Sequence, residues 1–266
     1  YSSGSFELAA SVPAPVSGGD TCADAIPIPA SGGAFESSTQ GLANDYAPPR
    51  TCTGYDAHGP DRAYAIDVDA GDVVEALAEF DAELDGALYV VTNCSELSRC
   101  VAGADKGLRG ASETLRFVAR TSGQHYVIID AFSETAAGSH DLSVVRSGAD
   151  TCGDAAPLAV GASEWFTTAG ATNDYAPSAA ACVTWTMTGA DRVYSAGVAA
   201  GDQLRIDVTT SAFDAALYVA ESCADIAGSC RAGSNASAGN AETVAPVFQQ
   251  SGRYFVVVDG VNGATG

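Results

Sequence analysis

The chain has 266 residues, 33 Asp and Glu against 12 Lys and Arg, and a formal charge of -21. That length holds one large or two ordinary domains. The lack of clustered cations excludes nucleic acid as a partner, because neutralising phosphates requires them. No apolar run approaches the roughly 20 residues that cross a bilayer, so no membrane span is expected. No basic segment leads into an apolar one, so any signal peptide has been removed or lies outside this segment.

In chain order, Gly4 to Ser11 comes first, with strand-like alternation through Phe6-Glu7-Leu8. SVPAPVSGG follows; its two prolines and absence of charge suit a semi-extended linker, residues 12–19. From Asp20 onward the blocks come twice. GDTCADAIPIPA (19–30) matches ADTCGDAAPLAV (149–160), and LANDYAPPRTC (42–52) matches ATNDYAPSAAAC (171–182). PDRAYAIDVDAGD (60–72) matches ADRVYSAGVAAGD (190–202), and DGALYVVTNC (85–94) matches DAALYVAESC (214–223). SGQHYVIIDAF (122–132) matches SGRYFVVVDGV (251–261). Blocks kept in one order at a nearly constant offset define two copies of one domain, 20–147 and 148–266.

Each copy reads as a series of short strands. After the Gly71-Asp72 and Gly201-Asp202 turns, Leu204 to Val208 alternates as a half-buried strand does. Leu88–Val91 and Leu217–Val219 predict a second strand, and Phe117–Ala119 with Val247–Phe248 a third. Tyr126–Ile129 and Tyr254–Val258 are continuous apolar runs, the mark of a strand covered on both faces. Short strands with turn residues between them predict an all-β fold of sandwich type, a barrel being the other architecture open to it.

The first copy closes with His140-Asp141-Leu142-Ser143-Val144-Val145, and Gly4–Ser11 matches that closing strand, GSFEL beside GSHDL. The second copy reaches Gly266 at the point where its own closing strand is due. Two explanations fit. The segment is an excerpt of a longer tandem array, or residues 1–11 are a donor strand that completes the second domain of a neighbouring unit. In the donor reading Phe6, Leu8 and Ala10 are the inter-subunit contacts. Such a head-to-tail contact does not close on itself and makes a filament.

Eight cysteines in a repeated pattern point to disulfides and an oxidising compartment. The close pairs Cys94–Cys100 and Cys223–Cys230 are expected to close small loops, which leaves Cys22–Cys52 and Cys152–Cys182. A zinc site lacks the recurring CxxC or His it needs. None of His58, His125 and His140 has a histidine counterpart in the other copy; His125 aligns with Tyr254, and His140 with Phe6. No GxSxG elbow or phosphate loop is present, so no catalytic residue is assigned. Tyr46 and Tyr175 recur, as packing residues do, whereas Trp165 and Trp185 occur in the second copy alone.

The order DTC…NDYAP…C…DRxY…AGD…FDAxLYV…C…SGxYxVVVD resembles the bacterial pre-peptidase C-terminal domain over nearly the whole chain. The resemblance implies jelly-roll sandwiches in a secreted protein, beside catalytic domains or in arrays. From related collagen-binding domains of collagenases it also implies calcium, carried over onto Asp20, Asp24 and Asp61 and onto Asp150, Asp154 and Asp191. In the simpler expectation Asp45 and Asp174 hold turns, while Asp61 and Asp191 pair with Arg62 and Arg192 or cap loops. Asp130 and Asp259, which end the VIID and VVVD strands, are expected to cap turns.

Two functions follow. The first is a structural subunit of an extracellular bacterial filament or stalk, with other copies of itself as partners. The alternative is a non-catalytic module pair of a secreted hydrolase or adhesin that attaches to a protein or polysaccharide of the matrix or cell surface.

Overall fold

A computed structural model describes residues 17–161, 163–177, 182–183, 187–209, 213–236 and 240–266. The donor segment 1–11, most of the linker and Trp185 lie outside the described residues. The chain divides into two compact units. One comprises residues up to Ile66, Ala76–Leu115 and Gln124–Val145; the other comprises Asp67–Glu75, Arg116–Gly123 and Arg146–Gly266.

The first repeat is all β apart from single helical turns. Its strands are β1 (Ile26–Pro27), β2 (Gly32–Ser38), β3 (Arg62–Val68), β4 (Val73–Phe80), β5 (Gly86–Val91), β6 (Cys100–Ala104), β7 (Glu113–Val118), β8 (Gly123–Ala131) and β9 (Ser139–Ser147). A helical turn, α1 (Arg50–Thr53), precedes β3. One sheet has the order β1-β3-β8-β5-β6 and the other β2-β9-β4-β7.

Side-chain period explains how the two sheets stack. β9 alternates exposed and buried, and its inward residues His140, Leu142 and Val144 are nearly inaccessible. Tyr64 on β3 meets them from the five-stranded sheet, its hydroxyl 2.8 Å from His140 Nε2. β5 is buried at every position. Its opposite face, Tyr89 and Val91 with Ala63 and Ile128, packs under Cys22, Tyr46, Cys52, Cys94 and Cys100. The five-stranded sheet is therefore covered twice, by the second sheet and by a loop layer held with disulfides.

The second repeat reproduces the five-stranded sheet. Its strands are β10 (Ala156–Pro157), β11 (Arg192–Val198), β12 (Ile206–Val208), β13 (Ala215–Ala220), β14 (Cys230–Ser234), β15 (Glu242–Val244) and β16 (Gly252–Gly260). The order β10-β11-β16-β13-β14 is that of the first repeat. A helical turn, α2 (Ile226–Ser229), sits between β13 and β14. The opposing sheet differs: β12 and β15 pair only with each other among the described residues.

Disulfides join Cys22 to Cys94, Cys52 to Cys100, Cys152 to Cys223 and Cys182 to Cys230, with Cα separations of 6.5, 5.6, 6.3 and 5.7 Å. The expected pairs Cys22–Cys52, Cys94–Cys100, Cys152–Cys182 and Cys223–Cys230 are not formed. The reason lies in the loop layer. α1 lies on β6 so closely that a Cβ on Gly103 would come within 2.5 Å of the Cys52 carbonyl oxygen; Gly233 holds the same place under Cys182. That approach delivers Cys52 to Cys100 at the start of β6, and leaves Cys94, at the end of the β5 hairpin arm, to the turn that carries Cys22. Both bonds then run from the loop layer to the sheet.

The two bonds of the first repeat span sequence separations of 72 and 48. Constraining loops of that length is worth about 4 kcal/mol each by chain entropy, against roughly 2 kcal/mol for a six-residue ring. Replacing Cys52 and Cys100 together by Ala is expected to cost about 4 kcal/mol in denaturant unfolding. Non-reducing peptide mapping should recover the fragment containing Cys52 joined to that containing Cys100; a fragment closed between Cys94 and Cys100 would refute the pairing.

Candidate functional site

The aspartates singled out by sequence act on backbone N–H groups, in the same way in both repeats. Asp20 Oδ1 accepts from Ala43 N at 2.8 Å, and Asp150 Oδ1 from Thr172 N at 2.8 Å. Asp24 Oδ1 accepts from the backbone and hydroxyl of Thr21, and Asp154 Oδ1 from those of Thr151, all at 2.7–2.8 Å. Asp61 Oδ2 accepts from Asp45 N (2.6 Å) and Tyr46 N (2.8 Å), and Asp191 Oδ2 from Asp174 N and Tyr175 N at 3.0 Å each. The Tyr46 and Tyr175 hydroxyls close the circuit by accepting from Cys22 N and Cys152 N. Together these bonds stitch the DTC turn to the NDYAP loop. Among the described residues no three His, Cys, Asp or Glu side chains are grouped to hold a metal ion. Asp20, Asp24 and Asp61, like Asp150, Asp154 and Asp191, spend these oxygens on the donors of the two loops.

Arg62 and Arg192 serve carbonyls rather than Asp61 and Asp191. The Arg62 guanidinium donates to Gly18 O and Ser38 O, and that of Arg192 to Gly148 O and Thr167 O.

Asp130 and Asp259 do more than cap turns. All four of Asp61, Asp130, Asp191 and Asp259 are fully buried. Asp130 Oδ1 accepts from Ala131 N and Gly59 N, and the Tyr89 and Tyr218 hydroxyls donate to Asp130 and Asp259. Oδ1 of Asp61 and of Asp191 is buried with no N–H or O–H donor. Burial, and then the neighbouring Asp61 charge, push Asp130 far above the usual carboxylate range, and burial raises Asp61 as well. In the second repeat burial raises Asp191 and Asp259 to about 7 each. In both repeats the raised values favour the protonated, uncharged form of these buried carboxyls. Sequence pattern showed that Asp130 and Asp259 recur, but not that they point inward.

The one marked difference between the repeats makes the second site. In the first repeat β9 lies in the middle of its sheet, between β2 and β4. β2 pairs with it in the register Ser37↔His140, Phe35↔Leu142 and Gly33↔Val144. In the second repeat no described residue occupies that position. A groove of about 410 Å³ lies there, floored by Phe166, Tyr194, Leu204, Ile206, Val208 and Val256. Two sets of bonds fix the correspondence. Thr39 N donates to Gly138 O and Thr168 N to Gly266 O, so Gly266 stands where Gly138 does, one residue before β9. Arg62 Nε and Arg192 Nε donate to Ser38 O and Thr167 O, so Phe166 stands where Ser37 does. Residues 163–168, the counterpart of β2, are not a strand, as expected of a segment without its pairing neighbour.

No protein-family model matches the chain, and no curated protein does. Among solved structures it is similar to the pre-peptidase C-terminal domain of a collagenase from Bacillus anthracis, at 14% identity and a TM-score of 0.32. That alignment covers 45% of this chain and 93% of that one, about the size of one repeat. A periplasmic inhibitor of g-type lysozyme from Aeromonas hydrophila, PliG, matches at 14% identity and a TM-score of 0.31 over 46% of this chain and 96% of its own. The CBM22-1–CBM22-2 tandem domain of Paenibacillus barcinonensis Xyn10C matches at 10% identity and a TM-score of 0.23, over 86% of this chain and 84% of its own.

The acid pairs make a pH prediction of definite sign. Their folded pKa values lie above the unfolded value near 3.9, so the folded state binds more protons in between. Their stabilisation is complete below about pH 4 and is lost as pH rises through about 7 in the second repeat, and higher in the first. Melting temperature should fall from pH 5 to pH 8, and the double variant Asp130→Asn, Asp259→Asn should flatten that slope; an equally steep slope in the variant would refute the assignment to these carboxyls. A ligand of the folded state alone stabilises it, so bound calcium would show as a lower melting temperature on adding EDTA, and an unchanged one would speak against it.

Proposed function

We propose that the chain is a structural subunit of an extracellular filament, joined when the groove of the second repeat receives residues 4–11 of another copy. One observation carries this reading. The groove occupies the place that β9 fills in the first repeat, and Gly4–Ser11 repeats the sequence of β9, GSFELAAS beside GSHDLSVV.

The energetics favour occupation. In the first repeat the inward positions of β9 are 1–2% exposed. A strand seated in the second repeat in the same way would bury Phe6 and Leu8 for roughly 1.5–3 kcal/mol each. Its backbone would pair with the free edge of β12, each net hydrogen bond adding about 1 kcal/mol. An open edge over an apolar floor otherwise invites unspecific association. The four disulfides suit an oxidising, extracellular setting. A subunit carrying a strand at one end and a groove at the other joins head to tail, and such contacts propagate without closing.

Deleting residues 1–11 should abolish filaments in electron micrographs and leave a monomer with unchanged near-ultraviolet circular dichroism. Filaments that persist after the deletion would refute the proposal. So would a full chain that stays monomeric at every concentration, because the groove would then be filled from its own chain, from sequence beyond Gly266, or by the ligand of an accessory module.

A further inference from the structure

In the first repeat the residue that enters the sandwich first from β9 is polar. His140 lies opposite Ser37 in the strand register, and its Nε2 is 2.8 Å from the Tyr64 hydroxyl. Tyr64 and His140 form a buried polar pair between the sheets, with Ser37 beside them. In the second repeat the same three places are filled differently. Tyr194 is the counterpart of Tyr64, but Phe166 stands at the Ser37 position, its ring edge-on to Tyr194 with centroids 6.2 Å apart. The residue of segment 4–11 that falls opposite Phe166, counted from the shared glycine, is Phe6 rather than a histidine. Both members of the cross-strand pair have changed together: Ser with His in the closed repeat, Phe with Phe in the open one.

We infer that Phe166 is the specificity-determining residue of the groove, selecting a strand with an aromatic side chain at its first inward position and rejecting the β9 sequence of the first repeat. The inference rests on the strand-donation reading above and names what that site recognises. The chemistry is direct. A phenyl ring at this point adds an edge-to-face partner to Phe166 and Tyr194 and places no polar atom in the floor. An imidazole there would set a polar ring against Phe166 and forfeit that aromatic pair. The consequence concerns assembly. The chain carries two copies of a β9-type strand, and a groove that accepted both would permit the first repeats of two molecules to exchange strands with second repeats. A groove that accepts only the Phe6 type leaves one mode of contact, so that each subunit adds in one direction.

The experiment uses the full chain, refolded by dilution from guanidinium with disulfides intact, in the presence of free peptides. The peptide GSFELAAS (residues 4–11) is expected to block assembly, followed by light scattering, at a concentration about tenfold lower than GSHDLSVV (residues 138–145). Equal potency of the two would overturn the selectivity while leaving strand donation standing. If neither peptide blocks assembly, strand donation itself falls. In the chain, Phe6→His should raise the concentration needed for assembly about tenfold, and with Phe166→Ser already in place the same change should cost less, because the ring that Phe6 pairs with is gone. Unchanged assembly by a Phe6→His chain that keeps the parent's near-ultraviolet circular dichroism would overturn the inference.

Discussion

A strand in the middle of a sheet satisfies two demands at once: it pairs the backbone of both neighbours, and its inward side chains fill the space above the facing sheet. β9 does both in the first repeat, with β2 and β4 on its two sides and His140, Leu142 and Val144 beneath it. Take such a strand away and neither demand can be met by small adjustments. The edges it paired are left with free N–H and C=O groups, and the apolar floor it covered faces water. Among the described residues the second repeat shows both results. Its second sheet consists of β12 and β15, the counterpart of β2 is not a strand, and a groove with an apolar floor opens over Tyr194 and Val256. What survives is the five-stranded sheet, because it is stapled independently from the other side.

That independence comes from the loop layer. Two long-range disulfides and a lattice of aspartates on backbone donors hold the NDYAP loop against β5 and β8 and, in the other repeat, against β13 and β16. All of it lies on the face away from the groove. A sandwich whose one sheet is secured this way can keep an open second sheet without unravelling, which is the property a strand acceptor needs. The recurrence of every one of these contacts in both repeats marks them as part of the fold, whereas the groove exists in one repeat alone.

The legible part of the sequence was the part with strong period or continuous apolar runs. Leu88–Val91, Tyr126–Ile129 and His140–Val145 fall inside β5, β8 and β9. β2, as GGAFESS, and β6, as CVAGA, carry too few large apolar residues to announce a strand; the first owes its conformation to β9 and the second to β5. The third predicted strand falls at the end of β7, which holds Phe117 and Val118; in the second repeat it was displaced, since β15 lies upstream of Val247–Phe248, where among the described residues a single bridge to Gln203 forms. The repeat could be read by alignment alone. The disulfide partners could not, because spacing along the chain says nothing of α1 lying on β6. Asp130 and Asp259 were visible as recurring residues, but burial decided their role, and burial is a property of the packed sheet.

The acidity of the chain bears on the same architecture. Thirty-three carboxylates against 12 cations repel copies of the protein from one another, so a diffuse sticky surface would be overruled by charge at all but high ionic strength. A strand seated on the apolar floor of the groove, as proposed, would escape that veto, because its energy would come from buried area and backbone pairing at short range. Charge would then act as a filter on approach, suppressing unspecific contacts between open β12 edges. The sequence of segment 4–11 fits this division: Glu7 is its only charged residue, and its place matches Asp141, an outward position of β9.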